Sequence, residues 1–328
     1  MTDSLVADQL LRDRYIIRQI IGRGGMGSIY LAEDSRLPGR LCAVKEVKPE
    51  PGLPESIRAE GRDQFYREAR VLALLDHPNL PKVSDFFSEG ERDYLVMDYV
   101  PGEDLKSLMD QARRAGRRLP LDDVLRWALQ LADALGYLHG QDPPVIHRDI
   151  KPSNLKITPN GLLKLVDFGL VKQMAPDEVT VTVIQGRGTA QYTPLEQYGG
   201  DAGHTDPRTD LYAFGATLYH LVTNQPPPEA KLRFLDPSVL RPPREFNPDL
   251  STGLEHAILW AMALHPDDRP PNIAALRPLL EGTVTAPIIA RRMSRVLPLS
   301  DWFPSRTESI LAASAAVLLI TAALATFL

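Results

Sequence analysis

One cysteine, Cys42, occurs among 328 residues. A lone thiol excludes an intrachain disulfide framework, and its apolar surroundings read as a buried side chain in a reducing compartment. Positive charge is also short: 37 Lys and Arg against 42 Asp and Glu give a formal net charge of −5. That balance lacks the basic footprint of a nucleic-acid binder. The seven histidines are scattered without metal-ligand spacing, which excludes a zinc-finger type of centre. No internal repeat occurs, so solenoids and propellers are excluded. No basic-then-apolar leader precedes the first fold segment, and the chain opens on the short mixed stretch MTDSLVADQLLRDR.

Charge is missing altogether from residues 310–328, ILAASAAVLLITAALATFL. As a helix this stretch is about 28 Å long, close to the roughly 30 Å hydrocarbon core, and it has no polar face to meet water. A transmembrane helix is expected there, rather than a buried Ala-rich helix. Arg291, Arg292, Arg295 and Arg306 in the preceding linker place that linker, and everything before it, in the cytoplasm. The expectation is therefore a single-pass protein of the cytoplasmic (inner) membrane, with the lipid bilayer as a partner. Ala312 and Ala316 have a small-xxx-small spacing that suits a homodimer.

What is present is ordinary globular material, 44% hydrophobic and 24% charged, enough for two lobes and a tail. Residues 15–47 read as three strands joined by Gly-rich and Pro-Gly turns. A Pro-rich loop follows at 49–56, then a helix over 58–75 with Phe65, Ala69, Leu72 and Leu75 at helical spacing, stopped by His77, Pro78 and Asn79. Two strands are expected near 82–87 and 93–97. Beyond Pro101 and Gly102 the chain turns helical, with an amphipathic helix at Leu121–His139. Asn160 and Gly161 mark a hairpin turn. Residues 170–205 read as a long loop, 210–222 as an apolar helix, 225–248 as mostly loop, and 253–264 and 272–281 as helices.

The chemistry collects in a few places. Gly22, Gly24 and Gly27 form G-x-G-x-x-G between two strands, a hairpin whose bare N–H groups suit phosphates better than a dinucleotide fold would allow. Lys45 follows on an apolar strand and needs an anionic partner, for which Glu68 on the helix is the candidate. The stretch VIHRDIKPSNLKIT crowds Arg148, Asp149, Lys151 and Asn154 between apolar flanks, and Asp167 lies 18 residues after Asp149. Singly each reads as a turn, a cap or a surface charge. Together they do not.

The ordered set GRGGMG, AVK ending at Lys45, Glu68, HRDIKPSN and Asp167-Phe168-Gly169 resembles the eukaryotic-type protein kinases over about residues 15–281. The membrane-anchored bacterial serine/threonine kinases are similar in the GT-x-x-Y segment and in a single span after the domain. The resemblance implies an α+β, bilobal protein-kinase-like fold. A small antiparallel sheet lobe with one helix (15–97) would join through a hinge (98–102) to a larger, mainly helical lobe (103–281). Residues 1–14 would be an extension, 282–309 a juxtamembrane linker and 310–328 the transmembrane helix.

The resemblance also implies roles. Asp149 would take or orient the acceptor proton, and Lys151 would steady the transferred phosphoryl group. Asn154 and Asp167 would hold magnesium, with manganese as an alternative, and Lys45 with Glu68 would complete the catalytic set. ATP would lie against Ile21, Gly22, Gly24, Gly27, Ile29 and Ala43. Met97 would be the gatekeeper, with the Asp98 carbonyl and Val100 N–H at the adenine edge and Asp104 near the ribose. His147 would pack with Phe168, Leu72 and Val83 between the lobes, anchored at Asp210. Thr180 and Thr182 would be autophosphorylated and paired with Arg148. Thr189 would shape a Ser/Thr acceptor site. Glu196 would form a buried pair with Arg269.

Two departures stand out: Lys156 replaces the usual aliphatic residue under the adenine, and Leu195 replaces the proline before Glu196. Protein substrates with Ser/Thr acceptors are the expected partners. A pseudokinase scaffold is the alternative, and it commonly lacks one of the residues that are all present here. A small-metabolite kinase fits the 170–189 segment less well.

Overall fold

The computed structural model describes residues 4–24, 27–48, 52, 54–167, 190–198 and 206–284. All belong to one compact unit, Met1–Thr285. The expected transmembrane helix lies outside the described residues, as do Phe168, Gly169, Thr180, Thr182 and Thr189. Among the described residues no helix is long and apolar enough to cross a membrane.

The small lobe is a six-stranded antiparallel sheet built from β1 (Leu10–Leu11), β2 (Tyr15–Gly24), β3 (Gly27–Asp34), β4 (Leu41–Val47), β5 (Val83–Glu89) and β6 (Arg92–Asp98), in the order β1-β2-β3-β4-β6-β5. Period-two patterning gives it two separate apolar faces. On one, Ile29 is paired across β4 with Lys45 and through it with Leu95, while Leu31, Ala43 and Met97 form the next row. The other face packs Tyr30, Cys42, Val44, Tyr94 and Val96 against Leu5 and Leu11. Residues 4–14 are thus part of the sheet lobe, and the Leu5 N–H donates to the Tyr30 hydroxyl at 3.1 Å. Cys42 is buried, and burial pushes its thiol up to about 11.

Helix α1 (Glu55–Leu74) begins three residues earlier than the pattern suggests and buries Phe65, Ala69 and Leu72 on the inner face of the sheet. The large lobe follows with a short sheet of β7 (Glu103–Asp104), β8 (Leu155–Ile157) and β9 (Leu163–Leu165). Its helices are α2 (Leu105–Arg114), α3 (Leu121–His139), α4 (Pro207–Thr223), α5 (Ala230–Leu235), α6 (Pro243–Phe246), α7 (Thr252–Ala261) and α8 (Arg277–Leu280). The expected mostly-loop stretch 225–248 holds α5 and α6. The expected helix at 272–281 is a 3-10 turn followed by one α turn. Prolines at the start of α6 and within the first turn of α8 suit short helices, because proline is tolerated only in a helix's first turn. Helix α4 is almost wholly buried and carries the large lobe's core.

The lobes meet at the hinge and at the turn after α1. Gly102 has φ +102°, and a Cβ there would stand 2.0 Å from the Ile157 carbonyl oxygen, so only glycine lets the hinge lie on β8. Asn79 is buried; its amide donates to the Leu163 carbonyl at 2.8 Å and to Gln130 at 3.2 Å, while its own carbonyl accepts from the Leu165 N–H. Nearby, His77 stacks on Tyr137 with centroids 5.1 Å apart, and the Asp76 N–H donates to the Tyr137 hydroxyl. The residue that ends α1 in the sequence thus also fastens the small lobe to β9. Replacing Asn79 with Ala leaves the buried Leu163 carbonyl without this donor. A loss of about 1–3 kcal/mol is expected, measured as a lowered urea midpoint with an unchanged slope.

Candidate active site

The segment between α3 and β8 has little regular structure, and it is held by one carboxylate. Asp210, in the first turn of α4, is fully buried. It accepts hydrogen bonds from the His147 and Arg148 N–H groups, both at 2.8 Å, and contacts the His139 ring at 3.0 Å. Burial alone would raise its pKa, but the bonds from His139 and the His147 backbone outweigh it and hold the carboxylate below its ordinary value. Arg148 has φ +65°, a left-handed conformation costly for a long side chain, and the paired N–H bonds to Asp210 fix it there. His147 is buried in the interior, and burial lowers its pKa. It is a packed residue, not an exposed base.

This backbone presents Asp149 beside its neighbours. The Lys151 ammonium donates to both Asp149 carboxylate oxygens, at 3.0 and 2.9 Å. The Asn154 amide donates to the Asp149 carbonyl at 2.8 Å and to its carboxylate at 3.0 Å. The Val166 N–H donates to the Asn154 carbonyl, so the Asp149 loop and the β9 exit carrying Asp167 are tied together. Asp167 also has a left-handed backbone, at φ +64°. An acid, an ammonium, an amide oxygen and a second acid therefore share one small volume, with apolar Ile150 and Leu155 locking the loop beneath them.

Lys45 reaches this group from β4. Among the described residues its ion pair is with Asp167, not with the expected Glu68. Glu68 takes a 2.7 Å hydrogen bond from Gln64, one turn earlier on α1, and Gln64 is itself held by the Arg67 guanidinium. Burial raises the Glu68 pKa, and the Arg148 charge is the leading cation opposing it. The intrahelical Gln64 amide turns Glu68 along the helix, and Asp167 is the carboxylate paired with Lys45.

A lysine on the inner sheet face, an acid on a loop fixed by a buried aspartate, and a second acid at a strand exit form one arrangement. A family model described as the protein kinase domain matches residues 15–265. The chain belongs to the protein kinase family. Bacterial proteins named as serine/threonine-protein kinases are among the relatives it matches. Serine/threonine-protein kinase PknA of Mycobacterium tuberculosis is 36% identical over 267 residues, 78% of this chain and 58% of PknA. A Streptomyces coelicolor protein named as a probable serine/threonine-protein kinase is 35% identical over 79% of this chain and 38% of its own length. Tyrosine-protein kinase MasK of Myxococcus xanthus is 35% identical over 81% of this chain and 42% of MasK. The chain thus spans roughly two fifths to three fifths of these relatives. Among solved structures, the apo form of PpkA-294 aligns with a TM-score of 0.70 at 30% identity, covering 85% of this chain and all of that one. The PknI kinase domain of M. tuberculosis aligns with a TM-score of 0.64 at 28% identity, covering 85% of this chain and 98% of that one.

The residues expected on the nucleotide side fall on the inner sheet face and the hinge. Gly22 and Gly24 pair with Ile29 and Gly27 across the β2–β3 hairpin. A Cβ on Gly27, whose φ is +151°, would strike the Glu46 carbonyl. Ile29, Ala43 and Met97 line the inner face, with Val100 buried in the hinge and Ile21 at the rim, 40% exposed. The Asp98 carboxylate turns the other way, to the Lys82 N–H and Arg40. Asp104 caps α2 and accepts from the Ser107 N–H and hydroxyl, both at 2.9 Å. Lys156 lies opposite Asp104, with its ammonium 5.6 Å from the Tyr99 ring centroid. A cavity of about 290 Å³ between Arg40, Tyr99, Thr158 and Lys164 touches none of Ile29, Ala43 and Met97, so it belongs to another edge of the hinge.

The oxygen donors fit magnesium, which takes one or two carboxylates plus substrate phosphates rather than a protein cage. Asp167 offers a carboxylate, and the Asn154 amide nitrogen is spent on Asp149, leaving its oxygen as the ligand atom. Among the described residues no group of three or more His, Cys, Asp or Glu side chains could hold a metal by itself. Two positioning residues, His139 and Gln64, were not singled out from the sequence, and Asn79 was read there only as part of a helix stop. His139 had a signal, a titratable group in the last turn of an amphipathic helix.

Glu196 and Arg269 form the expected pair, at 2.5 and 3.0 Å. Arg269 is fully buried and also donates to the carbonyls of Ala263, Leu264 and Arg208. Leu195, the departure from the family pattern, packs on the core. Arg269→Ala would strand Glu196 and three carbonyls; a loss of about 3–5 kcal/mol is expected, seen as a lower melting temperature and poorer soluble yield. Wild-type-like melting would remove the pair's structural role.

Proposed function

We propose that the chain moves the terminal phosphoryl group of ATP onto serine and threonine hydroxyls of proteins, its own loop included, from a position tethered to the cytoplasmic membrane. The observation that carries the chemistry is Asp149 held between Lys151 and Asn154 beside Asp167. Asp149 accepts the acceptor hydroxyl's proton as that oxygen bonds to the phosphorus and the bond to the ADP oxygen breaks. Lys151, already within 3 Å of Asp149, balances charge on the transferred group. Lys45 would meet the phosphates, and Asn154 and Asp167 would hold magnesium, which would supply positive charge against them. Binding geometry does most of the remaining work, because the residues are fixed before substrate arrives.

Arg148 supplies the cation that a phosphate on Thr180 or Thr182 would pair with, and Thr189 with Lys151 favours a Ser/Thr acceptor over Tyr. A pseudokinase scaffold gains no support, since Lys45, Asp149, Asn154 and Asp167 are all in place. The membrane tether rests on the uncharged stretch 310–328 and its flanking arginines, and the homodimer on the Ala312/Ala316 spacing.

Incubating the full chain with Mg²⁺ and γ-labelled ATP should give labelled Ser or Thr, mapped by mass spectrometry to Thr180 or Thr182. Asp149→Asn should lower transfer about 10²–10⁴-fold, and chelation of the metal should abolish it. Label on tyrosine alone, or undiminished transfer by the Asn variant, would defeat the proposal. Lys156→Leu removes a half-buried ammonium, whose pKa burial already lowers, and adds an aliphatic floor. ATP should bind about three- to tenfold tighter, read by calorimetry.

A further inference from the structure

The exposed turn that ends α2 reads QARRAGRRLP and carries Arg113, Arg114, Arg117 and Arg118, all exposed. In a chain of net charge −5, four arginines in six residues are a local excess. Two are engaged by backbone: Arg114 donates to the Asp110 carbonyl and Arg118 to the Phe246 carbonyl. The second contact brings α6 alongside, adding exposed Arg241 and Arg244. The acids of the same segments are Asp110, Asp122, Asp123, Glu245, Asp249 and Glu255. Asp110 is paired with Lys106, Asp123 with Arg126 and Glu245 with Arg241, and Glu255 accepts from the Arg244 N–H, whereas among the described residues Arg113 and Arg117 have no acid partner within the same segments.

The same corner is where the chain leaves the described domain. Glu255 is on α7, and at the start of α7 a Cβ on Gly253 would lie 3.4 Å from the Val284 carbonyl oxygen. A short relay of contacts therefore joins the arginine turn to α6, α7 and residue 284. Beyond that point come Arg291, Arg292 and Arg295, then the uncharged stretch from residue 310. About 25 linker residues reach at most about 90 Å, so a membrane entered at 310 would stay within reach of the domain's surface.

We propose that this arginine corner docks the kinase domain on the anionic phospholipid surface next to its tether. This rests on reading residues 310–328 as a membrane span. Arginine suits the task because its fork meets phosphate oxygens in pairs, and each basic residue near an anionic leaflet raises partition about fivefold.

The test uses the full chain reconstituted in nanodiscs, either neutral phosphatidylcholine or the same lipid with phosphatidylglycerol. Hydrogen exchange is followed in the 112–119 segment. Slower exchange in the anionic discs is expected, reversed by high salt and lost in Arg113→Gln/Arg117→Gln, while that variant still phosphorylates a soluble acceptor. Equal exchange in both discs, with incorporation normal, would overturn the docking surface and leave the span standing. If the chain fails to incorporate, the span reading fails. Flotation with anionic vesicles then decides the corner alone: salt-sensitive binding lost in the double variant keeps it, and no binding removes it. Protection by soluble poly-glutamate as strong as by anionic lipid would overturn the proposal in favour of an acidic protein partner.

Discussion

The loop that carries Asp149 depends on a carboxylate buried beneath it. Asp210 stands on the most buried helix of the large lobe and holds two consecutive N–H groups of a loop that has almost no secondary structure of its own. A buried, fully hydrogen-bonded charge is costly to create and more costly to disturb. That cost fixes the left-handed Arg148, and Arg148 sets where Asp149 points. Lys151, Asn154 and, through the Val166 N–H, Asp167 follow from that placement. Preorganisation of the site is thus a property of α4 as much as of the loop.

Much of this was legible in the residues. The crowding of charges between Ile146 and Leu155, the lysine on an apolar strand and the long amphipathic helix at Leu121–His139 each point to their structural outcome. Local chemistry and period were enough there, because each signal lies within a few residues. The Glu196–Arg269 pair was implied by the family resemblance, since the two residues lie 73 apart in the chain. What was not legible depends on three-dimensional choice. Lys45 had two carboxylates to choose from, and spacing along the chain does not rank them; the orientation of α1 and the Gln64 amide do. Asn79 reads as a helix stop, and only the neighbouring lobe shows that its amide is used elsewhere. The helices α5 and α6 are short and flanked by proline, so their few residues carry too little periodicity to separate from loop.

The two departures from the family pattern have different weights. Leu195 replaces a rigid residue but packs into the core while its neighbour Glu196 keeps a bidentate partner, so the local frame survives the change. Lys156 alters chemistry rather than shape. Its stem can lie along an apolar surface, but its ammonium is held near Tyr99 and Asp104, at the hinge end of the cleft. At this position the chain departs from the family pattern in chemistry more than in shape.

The sheet of the small lobe carries two apolar clusters that share strands but no side chains. One is continuous with α1 and the large lobe; the other closes on the N-terminal residues alone. Mechanically the sheet is a stiff plate with its own ballast on the far side. A tilt of α1 or a bend at Gly102 is then carried to Lys45 as rotation of the whole plate, since the outer cluster gives the strands no soft direction in which to yield. Whatever displaces α1 therefore also bears on the strand that carries Lys45.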